Sequence, residues 1–359
     1  MSRVSVRTRL LAVAAATGLF AAASSCGGDD GDGGGRTDIG ADQAVVVFDG
    51  GETQVAAAVP DPDARANGAV LIRFDDGTFH HLGSDGMLEG PSGTSDLLPG
   101  GFLVDDDGGW IVVYGVAASS VADKSVQGVV RLPPEGGPEP ILELVSGGEL
   151  TISDVARDRE GSVLVTTRPF DPTNTARSRA PFERETDSPV DVQVLRVETE
   201  TSGAATAPEV VAGRGRGCTS EPTPAADAQF SDLRGVAVDG ASGTIYIADP
   251  VCGQVYAIAD GSVRPLLQPG EYRPSDVAIV GGRLLMTDWQ GRALVQLHPA
   301  GGPAEILLSG SADGAAAPTG GDVVNHSDVV LTDPRAISPV DDQRVLVVDG
   351  SRVLLVGLG

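Results

Sequence analysis

The chain carries one phrase twice, Ser153-Asp154-Val155-Ala156 and Ser275-Asp276-Val277-Ala278. Two carboxylates placed alike and facing one space could hold a hard cation such as calcium, whose ligands are oxygens. Calcium takes about six to eight oxygens and this pair supplies few, so the plainer role for each Asp is a cap on backbone amides at its own strand entrance. Beyond that calcium, no cofactor is expected. Histidine is scarce: His80, His81, His298 and His326. His80 and His81 are neighbours in an extended run, point to opposite faces, and cannot share an ion. His326, in Asn325-His326-Ser327-Asp328, has catalytic surroundings, against the alternative of a solvated loop histidine; no Gly-x-Ser-x-Gly phrase accompanies it. Trp289 follows Asp288 at a loop entrance, where an aromatic either packs or anchors a ligand. Arg214 and Arg216, in Gly213-Arg214-Gly215-Arg216-Gly217, are the one local basic cluster. They could receive a carboxylate or an acidic partner, or pair with the chain's own acids.

The elements that must position these residues are legible in 232–267, DLRGVAVDGASGTIYIADPVCGQVYAIADGSVRPLL. Four apolar runs, 236–238, 245–248, 255–258 and 263–267, are separated by Gly, Asp, Ser or Pro. Runs so short and so rich in Val and Ile read as antiparallel strands. The phrase returns at 274–288 and 334–349, and a unit of roughly 40 residues with four strands is the signature of a β-propeller blade. Asp249, Asp288 and Asp349 close the second runs at equivalent places, where an Asp accepts amide hydrogen bonds in the following turn.

Arg234-Gly235-Val236-Ala237-Val238-Asp239, Ile245-Tyr246-Ile247-Ala248-Asp249 and Gln254-Val255, with the run-in Pro224-Ala225-Ala226-Asp227-Ala228-Gln229-Phe230, resemble the NHL repeat. The resemblance implies a propeller and no particular activity, since NHL propellers host sensors, binding modules and a few lyases. Pro-Ser-Asp-Val-Ala at 274–278 is also similar to the amidating lyases, which bind zinc through inner-strand histidines. Arg234, Ser275 and Arg335 stand at those places here, which removes that metal chemistry. A calcium-dependent lactonase of related architecture is the stronger enzymatic alternative, although its acid-and-amide cluster finds few counterparts: Asn67, Asn174 and Asn325 all fall in loops.

The expected fold is all-β, an NHL-like propeller of six blades with four antiparallel strands each. The first blade is laid out as 44–48, 54–59, 69–74 and 78–82, and the sixth shows only three strands. Either 36–43 or 44–48 must then supply the strand that closes the ring, the second choice shifting the register of the first blade. The long segments 60–68, 115–128, 169–191, 213–231 and 309–333 are all expected on one face, which is read as the working face.

At the N-terminus, Arg3, Arg7 and Arg9 precede an apolar run and small residues up to Cys26, the pattern of a secretory signal peptide over 1–25. Ala23-Ser24-Ser25-Cys26 resembles a bacterial lipobox, which implies a lipid on Cys26. Residues 26–43 then read as a flexible acidic Gly-rich tether and 44–359 as the propeller. With Cys26 so assigned, Cys218 and Cys252 remain to form a disulfide outside the cytoplasm. The 25 basic and 50 acidic residues give a net charge of −25, which argues against nucleic acid and anionic lipid as partners. The expected protein is lipid-anchored at the outer face of a bacterial membrane. It serves as a non-catalytic module that binds or senses a protein, peptide or glycan through the long-loop face; the alternative is a metal-dependent lyase or lactonase at the channel mouth.

Overall fold

The computed structural model describes residues 39, 41–51, 54–60, 70–74, 78–82, 88–94, 101–105, 109–116, 126–133, 139–145, 150–169, 191–198, 208–310 and 323–359. The signal peptide, Cys26 and nearly all of the tether lie outside them. Strand β1 (Gln43–Asp49) comes first. A four-stranded antiparallel sheet follows: β2 (Val55–Pro60), β3 (Val70–Phe74), β4 (Thr78–Leu82) and β5 (Leu88–Thr94). The next contains β6 (Phe102–Val104), β7 (Trp110–Val116), β8 (Val126–Leu132) and β9 (Glu139–Val145), and a third β10 (Leu150–Arg157), β11 (Val163–Pro169), β12 (Val194–Val197) and β13 (Glu209–Ala212). Then β14 (Thr223–Pro224) pairs onto the outer edge of the sheet made by β15 (Val236–Val238), β16 (Ile245–Asp249), β17 (Gln254–Ala259) and β18 (Ser262–Pro265). Another four strands are β19 (Pro274–Val280), β20 (Arg283–Asp288), β21 (Ala293–Leu297) and β22 (Glu305–Ser309). The chain ends with β23 (Val323–Asn325), β24 (Pro334–Pro339), β25 (Arg344–Asp349) and β26 (Arg352–Gly357), whose sheet has the order β23-β1-β26-β25-β24.

Packing turns these sheets into a ring. β2, β6, β10, β15, β19 and β24 each touch the next, and β24 touches β2, so the first strand of every sheet lines a central axis. Middle strands are packed on both faces by neighbouring sheets, which is why β16 and β26 show no alternation and are buried throughout, with Asp249 and Arg352 as their charged ends. Outer strands lose that cover: β13 and β22 begin exposed, with Val210 and Ile306 in solvent. The core is accordingly a set of layers between sheets. One layer sets Ala278, Leu285 and Leu294 against Ile337, Val347 and Leu354, and another sets Tyr246 and Val255 against Leu284 and Met286.

The expectation of six four-stranded blades needs correction. Two sheets have five strands, because the connections entering them fold back as β14 and β23 and cover the outer edges. Residues 44–48 are not the start of the first blade; β1 pairs with β26 and is the penultimate strand of the last sheet, joining the chain's two ends. The first blade therefore begins at β2. As a result, the connection between β2 and β3 joins an innermost strand to a second strand, not a second to a third or one blade to the next. The segment entering β15, residues 213–231, joins one blade to the next as expected.

Candidate functional site

The two Ser-Asp phrases lie on β10 and β19, both innermost strands, and each sits at a β-bulge: the register shifts between Ile152 and Asp154 and between Pro274 and Asp276. A bulge re-aims the residues that follow it. Here it places both polar side chains against the next blade. Ser153 Oγ donates to Leu233 O at 2.6 Å and Asp154 Oδ2 accepts from Val236 N–H at 2.9 Å. Ser275 Oγ donates to Pro334 O at 3.0 Å and Asp276 Oδ2 accepts from Ile337 N–H at 2.9 Å. The carbonyl and the amide so engaged stand three residues apart in both cases. Thr166 and Thr287, opposite the Asp residues in register, hold the serines through 3.1 Å and 2.9 Å contacts. The caps therefore reach across an interface as well as to their own strand, where Asp276 Oδ1 also accepts Val277 N–H at 2.8 Å.

Between these blades the chain has to make room. Gly101 and Gly235 precede Asp154 and Asp276 by one blade, and a Cβ at either glycine would overlap the carboxylate beside it. Ala336 stands at the same register position in the last sheet, after the bulge between Pro334 and Ala336. These glycines and the Ser-Thr pairs are the site residues that sequence reading missed. The available signal was the recurrence of Gly one blade ahead of each Ser-Asp phrase.

Enclosure in the channel wall sets the electrostatics. Burial pushes the Asp154 carboxyl up to about 7 against the pull of the Val236 and Val155 N–H groups. Asp276 is raised well above the usual carboxylate range, first by burial and then by the charge of Asp154. Near neutral pH the pair thus retains a proton. Two carboxylates supply few of the roughly six to eight oxygens that calcium takes. Among the described residues no group of three His, Cys, Asp or Glu could hold a metal, and the carboxylate oxygens already accept backbone N–H groups.

The raised carboxyls have a consequence for stability with a definite sign. Between about pH 4 and 7 the folded chain binds more protons than the unfolded one at Asp154, at Asp276 and at Asp249, which burial raises to about 6. Stability contributed by these groups is complete below the ordinary carboxylate pKa and is lost as pH rises through the folded values. Asp154→Asn keeps an acceptor for Val236 N–H and removes the ionisation. Its melting temperature is expected to fall less than that of the wild type between pH 4 and 8, leaving it about 1–2 kcal/mol more stable by comparison at pH 8. Parallel curves for the two proteins would sink this account.

The remaining predicted residues are dispersed. Arg234 binds Asp232 through Nε and Nη2 at 2.9 Å and 2.8 Å, and Arg335 binds Asp333 likewise at 2.8 Å and 2.7 Å, at the entrances of β15 and β24. Trp289 is half-buried in the turn after β20, and its backbone N–H donates to Arg273 O. His326 is on a 3-10 turn, His326–Asp328, beside outer strands, not at the channel. Its Nδ1 is 4.0 Å from Asp42, its pKa is lowered by burial, and it lines a cleft of about 490 Å³ with Ile306, Ser309 and Asp328. His80 and His81 lie on β4, where side chains are outside the description. Arg214 and Arg216 occupy the connection entering the fourth sheet. Asp249 accepts from the N–H groups of Ser231, Asp232 and Cys252, Asp288 from Arg273, and Asp349 from Thr332 and Asp333. Cys218 and Cys252 form the expected disulfide, with Cα atoms 5.5 Å apart.

Ring topology and channel together define the class: the chain is a β-propeller with an acid pair on its channel wall. No family model and no curated protein matches the sequence. Solved structures do match. The PQQ-bound aldose sugar dehydrogenase of Streptomyces coelicolor aligns over 88% of this chain and 98% of its own at 14% identity, with a TM-score of 0.54. A gluconolactonase from Xanthomonas campestris aligns over 88% and 89% at 13% identity, also with a TM-score of 0.54. A putative glucose dehydrogenase from Thermus thermophilus aligns over 87% and 98% at 17% identity and the same TM-score. At such identity the likeness is one of fold.

Proposed function

We propose that the protein, exported by its N-terminal leader, is a propeller enzyme that opens a lactone at the channel without a metal ion, with Asp154 as general base and Asp276 as general acid. The observation that carries this reading is the pair of enclosed carboxyls on two innermost strands, both raised by burial so that the pair holds a proton near neutral pH, as a general acid and base acting together require. The gluconolactonase and the aldose sugar dehydrogenase among the structures of this fold direct the choice toward sugar-derived lactones. Asp154 takes a proton from water as the water oxygen bonds to the lactone carbonyl carbon. Asp276 gives its proton to the ring oxygen as the ring C–O bond breaks, leaving a hydroxy acid. Proton transfer from Asp154 back to Asp276 resets the pair. The hydrogen bonds to Val236 and Ile337 orient the two carboxyls, and each carboxyl keeps lone pairs for this work.

The test is a pH-indicator assay over a panel of aldonolactones. Turnover is expected to rise with pH through about 7 as the pair loses its first proton, and to fall again as it loses the second. Asp154→Asn and Asp276→Asn should each lower kcat by about 100-fold or more. Full activity in either variant, or no turnover across the panel, overturns the enzyme reading. One observation favours the second reading, a non-catalytic module binding a protein, peptide or glycan on the long-loop face: both carboxyls are already engaged in joining blades. On that reading the Asn variants change stability alone.

A further inference from the structure

Carboxylates outnumber basic residues two to one in this chain, and its half-buried arginines are taken up accordingly. Arg131, Arg157, Arg196, Arg234, Arg335 and Arg352 are each held by an Asp. Arg264, Arg273 and Arg283 are held instead by backbone carbonyls, and Arg216 has neither kind of partner among the described residues. Its side chain is half-buried and its Nε is closed off from solvent without a hydrogen-bond partner; it has no ion pair among the described residues. Two residues away, Arg214 is 77% exposed, and Asp227, the one acid paired with it among the described residues, stands at 3.9 Å, beyond hydrogen-bond reach.

The loop carrying both arginines is fixed from several sides. Gly213 and Gly215 adopt φ of 110° and 75°, which a side chain would disfavour. Arg214 N–H donates to Ala228 O at 2.7 Å and Gly217 N–H to Phe230 O at 3.2 Å, so the loop runs beside 228–230. Gly215 N–H is held by Asp191 Oδ1 at 2.6 Å, and Cys218, the next residue after Gly217, is tied by the disulfide to Cys252. The side chain of Gln229 lies against Gly217, where a Cβ would come 2.5 Å from its Oε1. A guanidinium buried in part and left without an acceptor is unfavourable unless something supplies one. Holding it in a rigid loop lowers the ordering cost of binding an anion.

We propose that the Gly213–Gly217 loop is an anion-binding site in which the Arg216 guanidinium forms a bidentate pair with a small oxyanion, a carboxylate or a phosphate, and Arg214 adds charge from the solvent side. The site stands apart from the channel pair and does not depend on its chemistry. A planar fork with two parallel N–H donors suits two oxygens of one group, a match that lysine cannot reproduce.

The experiment uses the full, disulfide-bonded protein. Sodium acetate, sodium phosphate and sodium chloride are titrated at equal ionic strength, with thermal melting and calorimetry as readouts. Acetate, phosphate or both should raise the melting temperature saturably beyond the chloride control, and which of them does so tells carboxylate from phosphate. Arg216→Gln should weaken that binding by about 10-fold or more and Arg214→Gln by about 3-fold. Arg216→Lys, which keeps the charge and loses the fork, should also weaken it and serves as the measure if the Gln variant does not fold. A chloride response equal to the others, or unchanged affinity in Arg216→Lys, overturns the site.

Discussion

Gly235→Ala is expected to destabilise the propeller by about 3 kcal/mol or more, and Gly101→Ala by a similar amount. At Gly235 the added methyl would overlap the Asp276 carboxylate and lie 2.8 Å from Asp276 Cα and 2.9 Å from Val277 N. A side chain could rotate away, but those two backbone atoms cannot, because β19 is held in register with β20 on its other edge. The clash also falls where Asp276 and Ser275 engage Ile337 and Pro334, so relief by tilting β19 would pull both hydrogen bonds of that clasp. Urea unfolding of Gly235→Ala, Asp276→Ala and the double variant separates the two contributions. Removing the carboxylate should recover part of the loss and leave the backbone share, giving a coupling energy of about 1 kcal/mol. Wild-type stability in Gly235→Ala would show that blades four and five do not approach as closely as described. Ala336 at the same register position in the last sheet is compatible with this account, because the first blade that follows has no Ser-Asp phrase to accommodate.

How much of this was legible in the sequence depends on the range over which each feature acts. The strands of the fourth sheet could be read almost residue by residue, since Ile245–Asp249 and Gln254–Ala259 are dense in Val, Ile and Tyr and end at Asp or Gly turns. β14 and β23 could not. Thr223–Pro224 and Val323–Asn325 have no periodicity of their own and become strands because an outer edge is there to pair with. Closure of the ring was undecidable for a related reason: an apolar run such as Ala44–Val45–Val46–Val47–Phe48 suits any blade, and its pairing with β26 joins the two ends of the chain. At the site, the repeated Ser-Asp phrase drew attention to Asp154 and Asp276, which lie on two innermost strands. Their partners lie 82 and 61 residues further on, in the following blade, and no local pattern points there. The glycines follow the same rule, since the atoms that exclude a side chain at Gly235 belong to residues 276 and 277.

Replacing Cys218 and Cys252 with serine is expected to remove about 3–4 kcal/mol of stability while leaving the protein folded. The two residues are 34 apart in sequence, and releasing a loop of that size restores about this much chain entropy to the unfolded state. The native loop has independent supports. Asp249 accepts Cys252 N–H at 3.0 Å through one oxygen and Ser231 N–H at 2.7 Å through the other, so its carboxylate spans both sides of the disulfide. Backbone bonds from Arg214, Gly217 and Thr219 to residues 228–230 hold the same connection from within. Phe230 and Tyr256, fully buried and packed edge to face at 5.2 Å, anchor it to the core. The loss should therefore appear mainly in the unfolded reference state, as a fall in melting temperature of roughly 5–8 °C with the folded circular dichroism spectrum unchanged. Reduction of the wild type by dithiothreitol should reproduce that shift, and the serine variant should then be insensitive to the reductant. A variant that fails to fold at 25 °C would place the disulfide among the elements that form the fourth blade. A variant as stable as the wild type would mean that the unfolded chain already holds 218 and 252 close together.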